Sequence, residues 1–485
     1  MKIAKKILLW FIGLIALTAA LMVGLQIYYK QTPSALSPET VQLNARVALL
    51  PTVTENGYRL HGLLAPGDVD PVQYGRCLTD ANDTHRREQA KAATPIPAVA
   101  DKAAYQAYSM QSAARGDALA VGCLQDGTRL SLAKALSDIK IKPGIESEQW
   151  KALAAATPDP VIVARAQTVW AGDARRLGTT VEAPIPSLQT PLQLERWRIA
   201  SAVQWWQAGE RPKAVSAWKR SINDWVKSAD DTLIDAMVST AALSQIMLGV
   251  QDAVARSDRV DDATATAALA ALVPIEAMPK AISDSLVAEW QSMSSLVKSM
   301  PLMPTHVFYS EAGPVGRMLD QAGRHTHDAN DTLNRMAQGN IWAQAAVLNA
   351  AMARAPLESS PQVGAEEVPV FCEALGDWQY LCLPFVRNPV GRIIAAIATP
   401  YYADYGVRIA DLRNLAAATR LTIEARRRAV SGEALVSFIA NAPTGMRDVF
   451  TDKPFVYDAA LKRLQIELRA KSPVLGDKGM YQLML

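Results

Sequence analysis

The hydrophobic pattern of the chain begins with one long run, residues 7–27, that contains no charged side chain. At the helical rise of about 1.5 Å per residue, this run spans roughly 30 Å, the thickness of a bilayer core. Lysines cluster before it and only Lys30 follows it closely, so the positive-inside rule predicts a cytoplasmic tail at residues 1–6 and an exported remainder. A cleaved signal peptide is the alternative. The run is longer than the apolar core of such a peptide, which favours an uncleaved anchor over residues 7–28.

Downstream of the anchor, hydrophobic residues recur mostly at helical spacing, in segments that prolines and glycines separate. Asp230 or Asp231 is the predicted N-cap of the segment at 232–256. The pattern predicts helices at 98–120, 130–139, 147–156, 160–172, 192–208, 211–228, 232–256, 263–272, 281–300, 314–324, 329–338, 341–354, 389–400, 401–428 and 431–439.

Two places depart from the helical pattern. The turn signal Asn56-Gly57 followed by mixed apolar residues predicts a short N-terminal strand at 58–64. Near the other end, the runs 455–458 and 464–468 predict a C-terminal β-hairpin. Breaks rich in proline and glycine at 173–191 and 355–369 predict three exported regions, 29–185, 186–356 and 357–485.

Composition excludes several functional classes. Charged residues make up 20% of the chain and the formal net charge is only +3, which does not fit a nucleic-acid binder. The sequence has no phosphate-binding glycine loop, no nucleophile elbow and no carboxylate pair placed for glycoside hydrolysis. We therefore predict no catalytic residue and no cofactor.

The four cysteines, Cys77, Cys123, Cys372 and Cys382, indicate disulfides if the chain is exported. Sequence alone allows three connectivities. The local pairing Cys77–Cys123 and Cys372–Cys382 is the simplest of them, and four buried free thiols are the alternative.

Residues 192–228 are similar to one tetratricopeptide unit, in which small residues let two helices approach and aromatic side chains fill the gap. Ala202, Trp205, Gly209, Ala214 and Trp218 carry this pattern. The similarity implies partner binding, with Trp205, Trp206 and Trp218 as candidate contacts. An ordinary helical hairpin is the alternative.

The only histidine cluster is His325-Thr326-His327-Asp328. His325, His327 and Asp328 are candidate metal ligands, since imidazole and carboxylate are common ligand types. Asp328 or Asp331 also fits the N-cap of the helix that follows, and this is the favoured interpretation.

Arg413, Arg420 and Arg427 recur every seven residues and so lie on one helix face. An anionic partner, such as a lipid headgroup or a polyanionic glycan, is one interpretation of this face. A solvated surface is the favoured alternative.

Three stretches, at 56–76, 232–243 and 387–412, resemble an uncharacterised group of proteobacterial proteins that have one N-terminal membrane span and a large exported region. The resemblance implies an inner-membrane location and a periplasmic body. The predicted fold is mainly α, a transmembrane helix followed by a periplasmic array of helical hairpins with small β elements. The predicted function is a non-enzymatic scaffold, adaptor or accessory subunit of an envelope complex, with a protein partner of unknown identity. A periplasmic hydrolase with an unrecognised, metal-dependent site is the alternative.

Overall fold

The computed structural model describes residues 31–50, 54–91, 129–142, 145–172, 188–299, 328–354, 403–472 and 474–485, with a few isolated residues between them. These residues are mainly helical, which confirms the predicted α class. Most of the predicted anchor lies outside the described residues. So do the loop at 355–369, most of the helix at 98–120, and the helices at 314–324 and 389–400.

From residue 130 onward the described helices closely follow the predicted pattern, and a 3-10 turn at Val273–Ala277 joins two of them, whereas the helices at Pro38–Ala48 and Pro71–Lys91 were not predicted. In chain order they are α1 Pro38–Ala48, α2 Glu55–His61, α3 Pro71–Lys91, α4 Lys134–Asp138, α5 Ser147–Ala155, α6 Pro160–Ala171, α7 Gln189–Gln207, α8 Arg211–Ser228, α9 Leu233–Ala255, α10 Asp262–Ala271, α11 Met278–Ser299, α12 Ala329–Ala351, α13 Ala403–Arg427 and α14 Gly432–Ala440.

The predicted N-terminal strand at 58–64 is wrong, because these residues belong to α2 and the turn after it. Thr54 caps the helix by accepting a hydrogen bond from the main-chain N–H of Gly57. A Cβ atom at Gly75 would lie 1.8 Å from the main-chain oxygen of Tyr58. This close approach of α3 to α2 needs glycine. The Asn56-Gly57 pair therefore begins a helix that tertiary packing holds in place.

Two further boundaries differ from prediction. The N-cap of α9 is Thr232, whose side chain accepts from the N–H of Asp235, and neither Asp230 nor Asp231 has this role. The predicted break between 338 and 341 is absent, because α12 runs through it without interruption. Asparagine favours a helix break when its side-chain amide bonds its own backbone. The Asn340 amide instead donates to the main-chain oxygen of Leu286 on α11.

The C-terminal hairpin is confirmed as β1 Val456–Asp458 and β2 Arg463–Leu468, which pair in antiparallel fashion. A third strand, β3 Gly479–Met484, pairs with β2 in the order β1-β2-β3 and was not predicted. Its buried residues, Tyr481 and Leu483, alternate with exposed Met480 and Met484. Because methionines occupy the exposed face, the hydrophobic alternation that marks a strand is faint.

One large hydrophobic core extends from Leu136 to Leu485 and includes side chains of all three predicted exported regions. Helix α9 lies in it, packed against α7, α8, α11 and α13. By length and composition alone, two described stretches, Leu233–Ala255 and Asp262–Ser295, could cross a membrane. The first is 72% buried inside the protein over its most apolar window, which is typical of a core helix.

Candidate functional site

A cleft of about 520 Å³ opens between three parts of the chain that are distant in sequence. One wall is β3, the second is the C-terminal part of α9, and the third is formed by Lys142 and by residues 145–147 at the start of α5. Clefts of this volume are large enough for a ligand or a short peptide segment.

The register of the sheet decides which main-chain groups face this cleft. Leu485 N–H donates to Lys462 O, so this pair is hydrogen-bonded, and in an antiparallel ladder every second pair after it is bonded as well. The main-chain groups of Tyr481 and Leu483 therefore point toward β2, and those of Met480, Gln482 and Met484 point away from it. Since β3 is the last strand of the sheet that the described residues form, the outward groups of Met480 and Gln482 are an open edge within this part of the chain.

Gln251 of α9 closes one end of this edge. Its Nε2 donates to the main-chain oxygen of Met484 at 2.7 Å and to Thr422 Oγ1 at 2.9 Å. Its Oε1 is buried and has no hydrogen-bond partner among the described residues. A buried acceptor without a partner is costly, so this oxygen marks a place where a donor would be stabilising.

A buried polar network holds the start of α5 against the C-terminal part of α9. Trp150 Nε1 donates to Asp252 Oδ2 at 3.0 Å, and Arg256 Nη2 lies 2.9 Å from Asp252 Oδ1. Arg256 also donates to Ser147 Oγ at 2.9 Å, which ties α9 to the start of α5. The Asp252 carboxylate is thus neutralised and held by α5 and α9 together.

The remaining charges at the cleft favour an anion. Arg463 donates to Gln482 Oε1 at 2.9 Å and forms no ion pair with any described residue. Lys142 also lines the cleft and forms no ion pair within the described ranges. The one other carboxylate, Glu146, is hydrogen-bonded in the capping box of α5 and keeps its charge. Three cations and two carboxylates therefore line the cleft, which gives it a net charge of +1.

A second hollow of about 350 Å³ lies between α6, α7 and α8, beside Trp170 and Trp197. Its central cation, Arg198, is stacked over the Trp170 ring and forms ion pairs at 3.0 Å with Glu195 and Asp224. These internal partners satisfy Arg198, whereas Trp170 Nε1 and Glu195 Oε1 are buried without a hydrogen-bond partner among the described residues. The cleft beside β3 is the better candidate site because it also contains an unpaired strand edge.

Asp328 is the N-cap of α12, as the favoured interpretation predicted. Its Oδ1 accepts from the N–H of Asp331 as the N-cap of α12, and its Oδ2 accepts from the N–H of Ser34 at 2.9 Å. His325 and His327 lie outside the described residues, so the metal site stays a prediction. Among the described residues, no group of three potential metal ligands occurs.

The cysteine prediction is confirmed for one pair. Cys77 and Cys123 form a disulfide with a Cα–Cα distance of 5.8 Å. Cys372 and Cys382 lie outside the described residues, and their pairing stays a prediction.

The tryptophans of the predicted tetratricopeptide-like hairpin face the core. Trp206 and Trp218 are buried, with ring centroids 5.2 Å apart, and Gly209 turns the chain between their helices at a φ of +87°. Trp205 is partly buried beneath Lys213 Nζ, which lies 4.2 Å from the ring centroid. The helical hairpin itself is confirmed, and a partner-binding role for these three side chains stays a prediction.

The arginine face of α13 is matched by carboxylates of the same chain. Arg413 Nε and Arg420 Nη1 lie 3.0 and 2.9 Å from the carboxylate of Glu276, and Arg427 Nε lies 2.9 Å from Asp262. Burial raises the pKa of Glu276, but the charges of Arg413 and Arg420 outweigh it and leave that pKa below its ordinary value. The face thus holds α13 against α10 and the 3-10 turn. Binding of an anionic partner by these arginines stays a prediction.

Family models, curated proteins and solved structures were compared with the chain, and none matches. The site therefore has to be judged on its own geometry. Sequence reasoning missed its main residues, Gln251, Met480 and Gln482. The weak alternation at 479–484 was the only signal for Met480 and Gln482, and no pattern in the sequence indicated Gln251.

Proposed function

We propose that the chain is a membrane-anchored, non-enzymatic adaptor of a cell-envelope complex that holds a partner protein in the cleft beside β3. The observation that carries this proposal is the open main-chain edge of β3 inside a formed cleft. Natural proteins cover or disrupt such edges, because an exposed edge pairs with other chains. An edge kept open beside a buried, unpartnered acceptor is typical of a binding site.

The proposed anchor occupies residues 7–28 in the inner membrane, with a cytoplasmic N-terminus and a periplasmic body. The disulfide between Cys77 and Cys123 supports an oxidising compartment. The apolar length of the run and the lysines before it support the anchor and its orientation.

A rigid joint directly after the proposed anchor supports an adaptor role. Ser34, six residues beyond Tyr28, is held at both main-chain groups, since its N–H donates to Asp328 and its oxygen accepts from Asn330 Nδ2 at 2.8 Å. Asn334 Nδ2 donates to Ala35 O at 2.7 Å. Such a joint leaves only a short stretch of chain between the body and the proposed anchor, so a bound partner would be held near the membrane.

The test is the native mass of the full chain, extracted from its own membrane in mild detergent, with identification of the co-purifying proteins. The adaptor role predicts a stoichiometric complex with another protein. A lone monomer or a homodimer would contradict it.

A further inference from the structure

We propose, resting on the adaptor role, that the occupant of the cleft is an extended, acidic peptide segment of the partner, which adds as a fourth strand to the edge of β3. Three features of the cleft support this occupant: the direction of the main-chain groups on β3, the environment of Gln251, and the charges around the cleft.

The main-chain groups of β3 provide the template. The N–H and C=O of Met480 and Gln482 point away from β2 and have no main-chain partner among the described residues. An extended peptide placed about 4.8 Å from β3 would satisfy them, as in other cases of strand addition. The exposed methionines at 480 and 484, 60% and 37% exposed, offer adaptable apolar contacts on the same strand.

Gln251 fits the end of an added strand. Its amide already occupies the outward carbonyl of Met484, which is where a strand partner would otherwise bond. Because Gln251 Oε1 is itself buried, the added strand would pair with the outward groups of Met480 and Gln482 and would end before the carbonyl of Met484.

The charges favour an acidic segment. Lys142 and Arg463 form no ion pair within the part of the chain that the structure describes, and the Asp252 carboxylate at the cleft is already paired with Arg256. Carboxylates of the peptide would complement the two free cations and steer association.

The probe is a fluorescent eight-residue peptide that alternates valine with aspartate and threonine, and its binding to the full chain in detergent is measured by anisotropy. Gln482→Pro removes an outward N–H and the side-chain acceptor of Arg463, and the main-chain ladder to β2 keeps all its hydrogen bonds. Gln482→Ala is the matched control, since it loses the same side chain and keeps the N–H. We expect Gln482→Pro to weaken binding by about tenfold or more and Gln482→Ala by about twofold or less. A peptide with lysine in place of aspartate should bind at least about tenfold more weakly than the acidic one.

A second measurement does not depend on how well the proline variant folds. Two versions of the peptide are N-methylated at alternate amides. One version carries the methyl groups on the odd-numbered residues, and the other carries them on the even-numbered residues. Strand addition predicts that one version binds like the parent and the other loses most of its affinity, because only one set of amides faces β3.

Equal binding of both methylated peptides, equal binding by the two Gln482 variants, or no binding of the acidic peptide would overturn strand addition. A concentration-dependent dimer that Gln482→Pro dissolves would place a second copy on this edge and would overturn it too. A native complex with a partner that is insensitive to Gln482→Pro would leave the adaptor role standing and refute strand addition alone.

Discussion

The Gln251 side-chain amide donates to the main-chain oxygen of Met484 across 2.7 Å, and 233 positions of sequence separate the two residues. The bond joins the core helix α9 to the open edge of β3, and so fixes one end of the cleft. Because Gln251 also donates to Thr422 on α13, its position is set by two helices and a strand at once. The cleft is therefore part of the folded core and not of a surface loop.

Arg165 should be among the most sensitive residues for stability. It is only 8% exposed, and its guanidinium donates to the main-chain oxygens of Ala65 at 2.5 Å and of Pro66 and Val69 at 2.8 Å. We expect Arg165→Ala to lower the free energy of unfolding by about 3 kcal/mol or more, because several buried carbonyls lose their donors.

Arg165→Lys should recover little of this loss, since an ammonium cannot reproduce the fork of donors. Chemical denaturation measures both variants. Lys219→Ala on the exposed face of α8 is the control, with an expected change within about 0.5 kcal/mol. An Arg165→Ala variant as stable as this control would contradict the stabilising role of the Arg165 hydrogen bonds.

Asp411 should give stability a distinct pH dependence. It is buried on α13, and burial raises its pKa from 3.8 to about 6, although the main-chain N–H groups of Arg469 and Ala470 oppose the shift. A carboxyl whose pKa is raised in the folded state contributes stability below its unfolded pKa, and this contribution is lost as pH rises through the folded pKa.

Relative to Asp411→Asn, the natural protein should therefore lose about 2 kcal/mol of unfolding free energy between about pH 4.5 and pH 7.5. Denaturation of both proteins across this range measures the difference. A difference that stays constant with pH would show that Asp411 has an ordinary pKa.

Loss of the Cys77–Cys123 disulfide should destabilise the N-terminal hairpin of α2 and α3. The bond closes a separation of 46 residues, for which the loop-entropy model gives about 4 kcal/mol, and measured losses are typically about 2–4 kcal/mol. Replacing both cysteines by serine should lower the free energy of unfolding by about 2–4 kcal/mol. Efficient thiol labelling of Cys77 in the unreduced natural protein would contradict the bond.

Tyr481→Phe should be neutral or stabilising. The Tyr481 hydroxyl is buried without a hydrogen-bond partner among the described residues, and burial raises its pKa far above the ordinary range. Removing a buried hydroxyl that has no partner recovers its desolvation cost. We therefore expect the free energy of unfolding, measured by thermal or chemical denaturation, to rise by up to about 1 kcal/mol. A loss of more than about 1 kcal/mol would reveal a partner for the hydroxyl.

The local sequence pattern predicts a helix correctly where the helix has its own start signal and a clear apolar face. The helix at 211–228 matches α8 at both ends, since Pro212 lies in its first turn and Trp218 and Trp225 lie on one buried face. The strand predicted at 58–64 failed because the close approach at Gly75 is a tertiary property that local spacing does not encode.

The spacing of residues in the sequence does not predict the candidate site, for a related reason. Gln251 reads as one polar residue in an apolar helix, and Gln482 as one polar residue in a weakly alternating run. Their significance comes from the meeting of α9 and β3, which depends on the whole fold between them. The arginines of α13 show the converse, since their regular spacing is evident in sequence but their partner Glu276 is not.

The most direct test of the adaptor account is site-specific photo-crosslinking in intact cells, with the crosslinker placed at Met480 on β3. Val456 on β1 is the matched control, since its exposure of 59% equals the 60% of Met480 and it lies on the opposite edge strand of the same sheet. The account predicts one discrete crosslinked partner protein from position 480 and none from position 456. No crosslink from 480, or the same product from both positions, would contradict it.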